Sequence, residues 1–227
     1  MIKYTFTKFT KWNVLKKLIV QEIDDLIIGS IWIVAFMSFL VGGVVAIQTA
    51  LNIESPFLPG NLIGFATRQS VILEFAPTLI SIIMAGKVGS FITSSIGTMR
   101  VTEQIDALEV MGVNSFNYLI FPKIISLMLY PFLITLAMFL GILGGYMASV
   151  YAGFSSSFDF IQGIQLDFKV FHVIYAYIKT TLFAFILATI PSYHGFFMKG
   201  GALEVGKASN ISCLLYTSDA ADDRTCV

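Results

Sequence analysis

Charge is what this sequence has least of. Only 12% of its 227 residues are charged, about half the share usual in soluble domains, while 56% are hydrophobic. The 14 basic and 14 acidic residues cancel, so no net field exists to draw the chain to nucleic acid. Cysteine is almost missing as well. Cys213 and Cys226 both lie near the C-terminus and form neither a CxxC pair nor a disulfide framework. His172 and His194 are far apart, which argues against a shared metal site. The lysine of Gly86-Lys87-Val88-Gly89-Ser90 lacks the GxxxxGK[ST] spacing of a phosphate-binding loop, because Ser81 stands where the first glycine is needed and Val88 follows the lysine. No catalytic triad is visible, so the chain is not expected to be an enzyme or to hold a cofactor itself. A cleavable signal peptide is not recognisable either, because the first apolar block is too long and lacks a small-residue cleavage site.

What the sequence does have is long apolar blocks, with a mean hydropathy of +0.83. The expected fold class is all-α, a polytopic membrane protein. Residues 1–25 carry Lys3, Lys8, Lys11, Lys16 and Lys17, with Phe9, Trp12, Leu15, Ile19 and Ile23 at helical spacing. That pattern suits a basic amphipathic helix lying in the membrane interface; a basic leader that only sets orientation is the plainer reading. Four spans are expected at about 26–51, 70–98, 119–150 and 170–197, each long enough for a hydrocarbon core that needs about 20 helical residues. Small residues recur at i+4 in three of them: Gly42, Ala46 and Ala50; Gly86, Ser90, Ser94 and Thr98; Gly141, Gly145 and Ser149. Such ridges let helices approach closely in lipid. Basic residues near the span ends place the N-terminus, the segment around Arg100 and Lys123, and the segment with Lys199 and Lys207 in the cytoplasm. The segments holding Glu54 and Arg68, and Asp159, Asp167 and Lys169, then fall on the other side.

Between the second and third spans lies a join. From Arg100 to Met111, Val101, Ile105, Leu108 and Met111 share one helical face, with Glu103, Asp106 and Glu109 elsewhere. Thr98 is placed to cap its start and Gly112 to stop it. A helix this short is marginal alone in water, so its apolar face must pack on its own chain or dock into a partner.

The run from Glu74 to Ser115, and above all GTMRVTEQIDALEVMGV (Gly97–Val113), closely resembles the MlaE family of ABC-transporter permeases, the membrane subunits of MCE-type lipid transport systems. FPKIISLMLYP (Phe121–Pro131) and GALEVGKAS (Gly201–Ser209) fit the same family, and the resemblance covers about residues 10–210. It implies that segment 99–112 is a coupling helix seated in a cleft of a separate cytoplasmic ATPase. Arg100, Val101, Glu103, Gln104, Ile105, Asp106, Leu108, Glu109, Met111 and Gly112 would then pass nucleotide-driven motion to the spans. It further implies a homodimer in the bacterial inner membrane, a periplasmic MCE-domain partner and phospholipid cargo moved between inner and outer membranes, with ATP and Mg bound by the ATPase. Members often carry an acidic residue just before the signature, where this chain has Ser94-Ser95-Ile96; a role for that carboxylate does not carry over. Members also continue into a fifth span. Residues 211–227 depart from the family and are expected to be a non-family tail on a permease domain of 26–210.

Two ionisable residues inside the apolar blocks, Glu74 and Lys179, each cost roughly 2.5–3.5 kcal/mol on insertion scales unless paired or hydrated. They suit a lipid headgroup path; a structural Glu–Lys pair, or a lysine that snorkels to the surface, is the alternative. Two other classes remain open from the residues alone. One is an ion-coupled secondary transporter using this pair, although no internal repeat is visible. The other is a membrane anchor for an ATPase that transports nothing.

Overall fold

The structure, a computed structural model, describes residues 12–53 and 60–198. The basic residues before Trp12, the side chains of Trp12 and Asn13, residues 54–59, the GALEVGKAS motif and the 211–227 tail lie outside the described residues. Those described form eight α-helices and no strand. We number them α1 (Trp12–Leu26), α2 (Ile31–Asn52), α3 (Asn61–Val101), α4 (Gln104–Val110), α5 (Ser115–Leu127), α6 (Tyr130–Tyr151), α7 (Ser157–Gln165) and α8 (Val170–Phe197). Four stretches are long and apolar enough to cross a membrane: Val14–Asn52, Asn61–Val101, Ser115–Tyr151 and Val170–Phe197. The 22 residues of α2 span about 33 Å at 1.5 Å per residue, enough for a hydrocarbon core.

Two spans differ from the pattern read in the sequence. α3 begins at Asn61 rather than near Ser70. It carries Arg68 into the helix because that side chain, 2% exposed, is fully engaged: its guanidinium donates to the carbonyls of Ile164 at 2.7 Å, Leu166 at 2.9 Å and Asp167 at 3.4 Å. Those carbonyls close the C-terminal end of α7, where a helix leaves acceptors unpaired and favours a cation. The third span is interrupted at Met128–Leu129, just before Pro131, and is continued by α6. Pro131 has no N–H for the Leu127 carbonyl and its ring crowds that carbonyl, whereas a proline is tolerated in the first turn of a helix, so the break falls before it and α6 starts at Tyr130.

The chain divides into two compact units. One comprises residues 1–30, 82–130 and 182–227; the other comprises residues 31–81 and 131–181. In the second unit α2 and α6 touch backbone to backbone. A Cβ at Gly42 would overlap the main chain of Gly141, and one at Gly144 would overlap the carbonyl of Phe39. Gly145 faces Ala46 and Thr67 in the same seam. The first and third small-residue ridges therefore pack on each other, as close-approach helices in lipid require. The start of α3 crosses α7 in the same manner: Gly64 lies against the Phe160 carbonyl and Gly163 against that of Asn61. Phe160 is fully buried with Ala50 and Ile63, and Tyr146 meets its ring edge-on at 5.7 Å.

Gly42→Ala is expected to force α2 and α6 apart. Overpacking of this kind costs about 1–3 kcal/mol, and here the overlap is with backbone that no rotamer change can relieve. Thermal unfolding of the purified protein should show a lowered midpoint for Gly42→Ala and little change for Val44→Ala, whose side chain is 61% exposed.

In the first unit α1 lies on α5. Leu15 and Leu26 are buried, Ile19 and Ile23 half-buried, and Lys16 and Lys17 exposed. The apolar stripe of α1 thus has a protein surface to rest on. The C-terminal half of α3 meets α8 through Gly89, Thr93 and Ile96. Thr93 Oγ1 donates to the Pro191 carbonyl at 3.2 Å, and a Cβ at Gly195 would press on Thr93 and Ile96. That contact uses the face next to the ridge Gly86, Ser90 and Ser94, whose residues are only half-buried.

Candidate functional site

The join is built from a turn and a short helix. α3 runs on to Val101, and Thr98, expected as a cap, instead lies within α3 and accepts from Thr102 N–H and Oγ1. Glu103 then takes a left-handed conformation, φ 58° and ψ 14°, and α4 starts at Gln104 with no side-chain cap. Left-handed backbone is strained for a residue with a Cβ, and it resets the helical phase. Val101 belongs to α3 and does not continue the face of Ile105.

The five large apolar residues of the join divide into two groups. Ile105 is fully buried and Leu108 half-buried, so they pack on the protein's own chain. Val101, Val110 and Met111 are 37%, 89% and 68% exposed. Val110, which the spacing had not put on the apolar face, is the most open of them. Around this patch Glu103, Gln104, Asp106 and Glu109 are exposed. Arg100 pairs with Asp106 at 2.7 Å, linking the end of α3 to α4; with both side chains in solvent such a pair contributes at most about 1 kcal/mol. Ser115 Oγ donates to Glu109 Oε1 at 2.9 Å, tying α4 to the start of α5. Gly112 ends α4 at φ +73°. Its N–H reaches the Glu109 carbonyl at 2.9 Å and Val113 N–H the Leu108 carbonyl at 3.0 Å, the paired bonds of a Schellman stop. The short helix is thus anchored at both ends and presents an apolar tip.

The charged pair forms in the other unit. Lys179 Nζ lies 3.3 Å from Glu74 Oε2 and 3.3 Å from the Leu73 carbonyl. In an ordinary helix that carbonyl would accept from residue 77, and Pro77 has no N–H. The helix takes π geometry over Val71–Leu79, a form frequent at functional sites, and Lys179 serves the carbonyl that Pro77 leaves without its α-helical donor. Glu74 stays open, its side chain 66% exposed against 21% for Lys179. The pair is therefore reachable from outside the unit.

A charge cluster not singled out in the sequence lies in the first unit. Lys123, 3% exposed, pairs with Glu22 at 2.5 Å, and its Nζ stands 5.9 Å from the Phe91 ring centre. The sequence had offered Lys123 only as an orientation signal, since nothing local places Glu22 beside it. Among the described residues no group of three or more His, Cys, Asp or Glu could hold a metal ion.

The signature helix, the glycine seams and all but the first turn of the first span fall inside one match. The sequence model of the permease MlaE family covers residues 19–216. The chain belongs to the MlaE permease family. It is 34% identical over 193 residues to a probable ABC transporter permease protein of Rickettsia bellii, covering 85% of this chain and 74% of that one. A probable ABC transporter permease of Synechocystis is 34% identical over 148 residues, 65% of this chain and 56% of the relative. One from the red alga Porphyra purpurea is 35% identical over 141 residues, 61% and 53% respectively. Membership makes the chain a multi-pass membrane permease of the ABC class.

Proposed function

We propose that this permease is the membrane subunit of an ABC-type system that moves phospholipid between the inner and outer membranes of a bacterium. A cytoplasmic ATPase binds ATP and Mg, docks on α4 and drives the cycle; two copies of the permease form the lipid-holding cavity, and an MCE-domain protein receives or supplies lipid on the periplasmic side. The observation that carries the reading is α4 itself, a family-signature helix anchored at both ends with Val101, Val110 and Met111 left uncovered. The division into units supports the orientation. Among the described residues, α1 and the join, expected in the cytoplasm, fall in one unit, and Arg68, Asp159, Asp167 and Lys169, expected outside, fall in the other.

Within this reading Glu74 and Lys179 line the headgroup path. A lipid phosphate competes with Glu74 for the Lys179 ammonium, an exchange of one charge-assisted bond for another, so the cargo is held without a deep trap. The test is ATP-dependent lipid transfer between vesicles, with permease, ATPase and MCE protein reconstituted together. Transfer should depend on all three, and Lys179→Ala should slow it about tenfold, the loss of one such bond, while ATPase binding is retained. Transfer unaffected by Lys179→Ala would remove the pair from the path. Transfer driven by a membrane potential without ATP would overturn the whole proposal.

A further inference from the structure

The first unit contains a cavity of mixed polar and apolar lining that this reading leaves unused. Its volume is about 290 Å³, and Asp25, Ser30, Lys87, Ser90, Phe91 and Ser94 contribute to its wall. Typical small-ligand pockets measure about 300–1,000 Å³, so it has room for a compact polar group but not for a whole lipid. Asp25 and the turn Ile28–Ser30 immediately precede the apolar helix α2. The cavity therefore belongs where a membrane span meets water, the level of lipid headgroups.

Its chemistry is two-sided. Lys87 Nζ donates to the Gly29 carbonyl and to Ser30 Oγ, which uses two of the three donors of an ammonium. Ser90 Oγ donates to the Gly86 carbonyl at 2.6 Å and Ser94 Oγ to that of Phe91 at 3.1 Å. With their protons directed to their own helix, both hydroxyls offer the cavity lone pairs. Asp25 is exposed and enters no ion pair among the described residues, and neither does Lys87. A carboxylate and an ammonium thus share one small cavity without neutralising each other. A purely anionic ligand meets Asp25, and a purely cationic one meets Lys87. A ligand carrying both charges satisfies both. Phe91, 41% exposed, adds an apolar edge along which an alkyl chain can leave. The π-helical stretch Ala85–Gly89 carries Lys87.

We propose that this cavity binds the headgroup of an amine-bearing phospholipid, its phosphate on Lys87 and its primary ammonium on Asp25, Ser90 and Ser94. A quaternary amine has no N–H to give these acceptors, which sets phosphatidylethanolamine above phosphatidylcholine. The lipid here is resident, and the proposal requires only the spans of the family, not a cargo or a direction of transport.

The test is native mass spectrometry of the full-length permease released from nanodiscs of equal phosphatidylethanolamine, phosphatidylcholine and phosphatidylglycerol. Retained lipid should be enriched in phosphatidylethanolamine about tenfold, the order of one charge-assisted hydrogen bond. Asp25→Asn should abolish the enrichment while the protein keeps its thermal midpoint. Ser94→Val, which removes an acceptor outside the turn, should reduce it. No enrichment in the wild type, or enrichment unchanged in Asp25→Asn, overturns the assignment. Displacement of the bound lipid by an equal concentration of soluble glycerophosphoethanolamine overturns the lipid source in favour of a free ligand. Lipid transfer in the reconstituted system is a separate readout, so failure of this site and failure of the transport proposal are distinguishable.

Discussion

Lys123→Ala is expected to destabilise the permease by about 3–5 kcal/mol, the usual cost of removing one partner of a buried ion pair. Lys123 is 3% exposed and its partner Glu22 20% exposed, so water cannot readily take over the charge left behind. The pair joins α1 to α5, and Ser126 Oγ adds a bond to the Ile19 carbonyl across the same contact at 3.2 Å. Yet the pair is not fully satisfied, because Glu22 Oε2 is buried without a hydrogen bond. Its desolvation is only partly offset. The double replacement Glu22→Leu with Lys123→Met should therefore recover most of the loss, as apolar substitutes for buried pairs often do. Thermal unfolding of Glu22→Leu, Lys123→Met and the double variant gives the coupling energy directly. A single variant as stable as wild type would mean that the lysine is hydrated in the folded protein.

Val110→Asp, alone or with Met111→Asp, is expected to release the ATPase while the permease stays folded. An anchor residue of an interface typically contributes 2 kcal/mol or more, so co-purification should weaken about thirtyfold at least. Both side chains are exposed, so a carboxylate at either position costs the isolated chain little. Ile105→Asp makes the contrast. Ile105 is fully buried, and an unpaired charge there should reduce folded yield before it affects any partner. Leu108→Asp, half-buried, should do some of each. If Val110→Asp with Met111→Asp binds the ATPase as tightly as wild type, the docking surface lies elsewhere. Loss of binding in Ile105→Asp with an unchanged thermal midpoint would reverse the assignment of the two faces.

The long apolar blocks made the all-α membrane class legible, because burying backbone in lipid leaves few alternatives to helices. The small-residue ridges were legible for the same reason: Gly42 and Gly141 announce a close contact by what they lack. Partner choice was not. The ridge of Gly86, Ser90 and Ser94 has the same spacing, yet the close contact to α8 uses Gly89 and Thr93, because Gly195 and the Pro191 carbonyl happen to face that side. Arg68 read as a loop charge, since its three acceptor carbonyls lie about a hundred residues away in sequence.

The join shows the same division on a smaller scale. Composition and spacing determined that a short amphipathic helix follows the second span and stops at Gly112, because a local pattern of apolar residues and one glycine suffices for that. The tertiary structure decided which residues remain exposed. One left-handed residue, Glu103, shifts the phase of α4 against α3, so Ile105 turns inward and Val110 outward. Periodicity assumes an unbroken helix and has no means to register such a turn. The apolar content of the join was therefore written in the sequence, and its outward face was set only when the backbone folded.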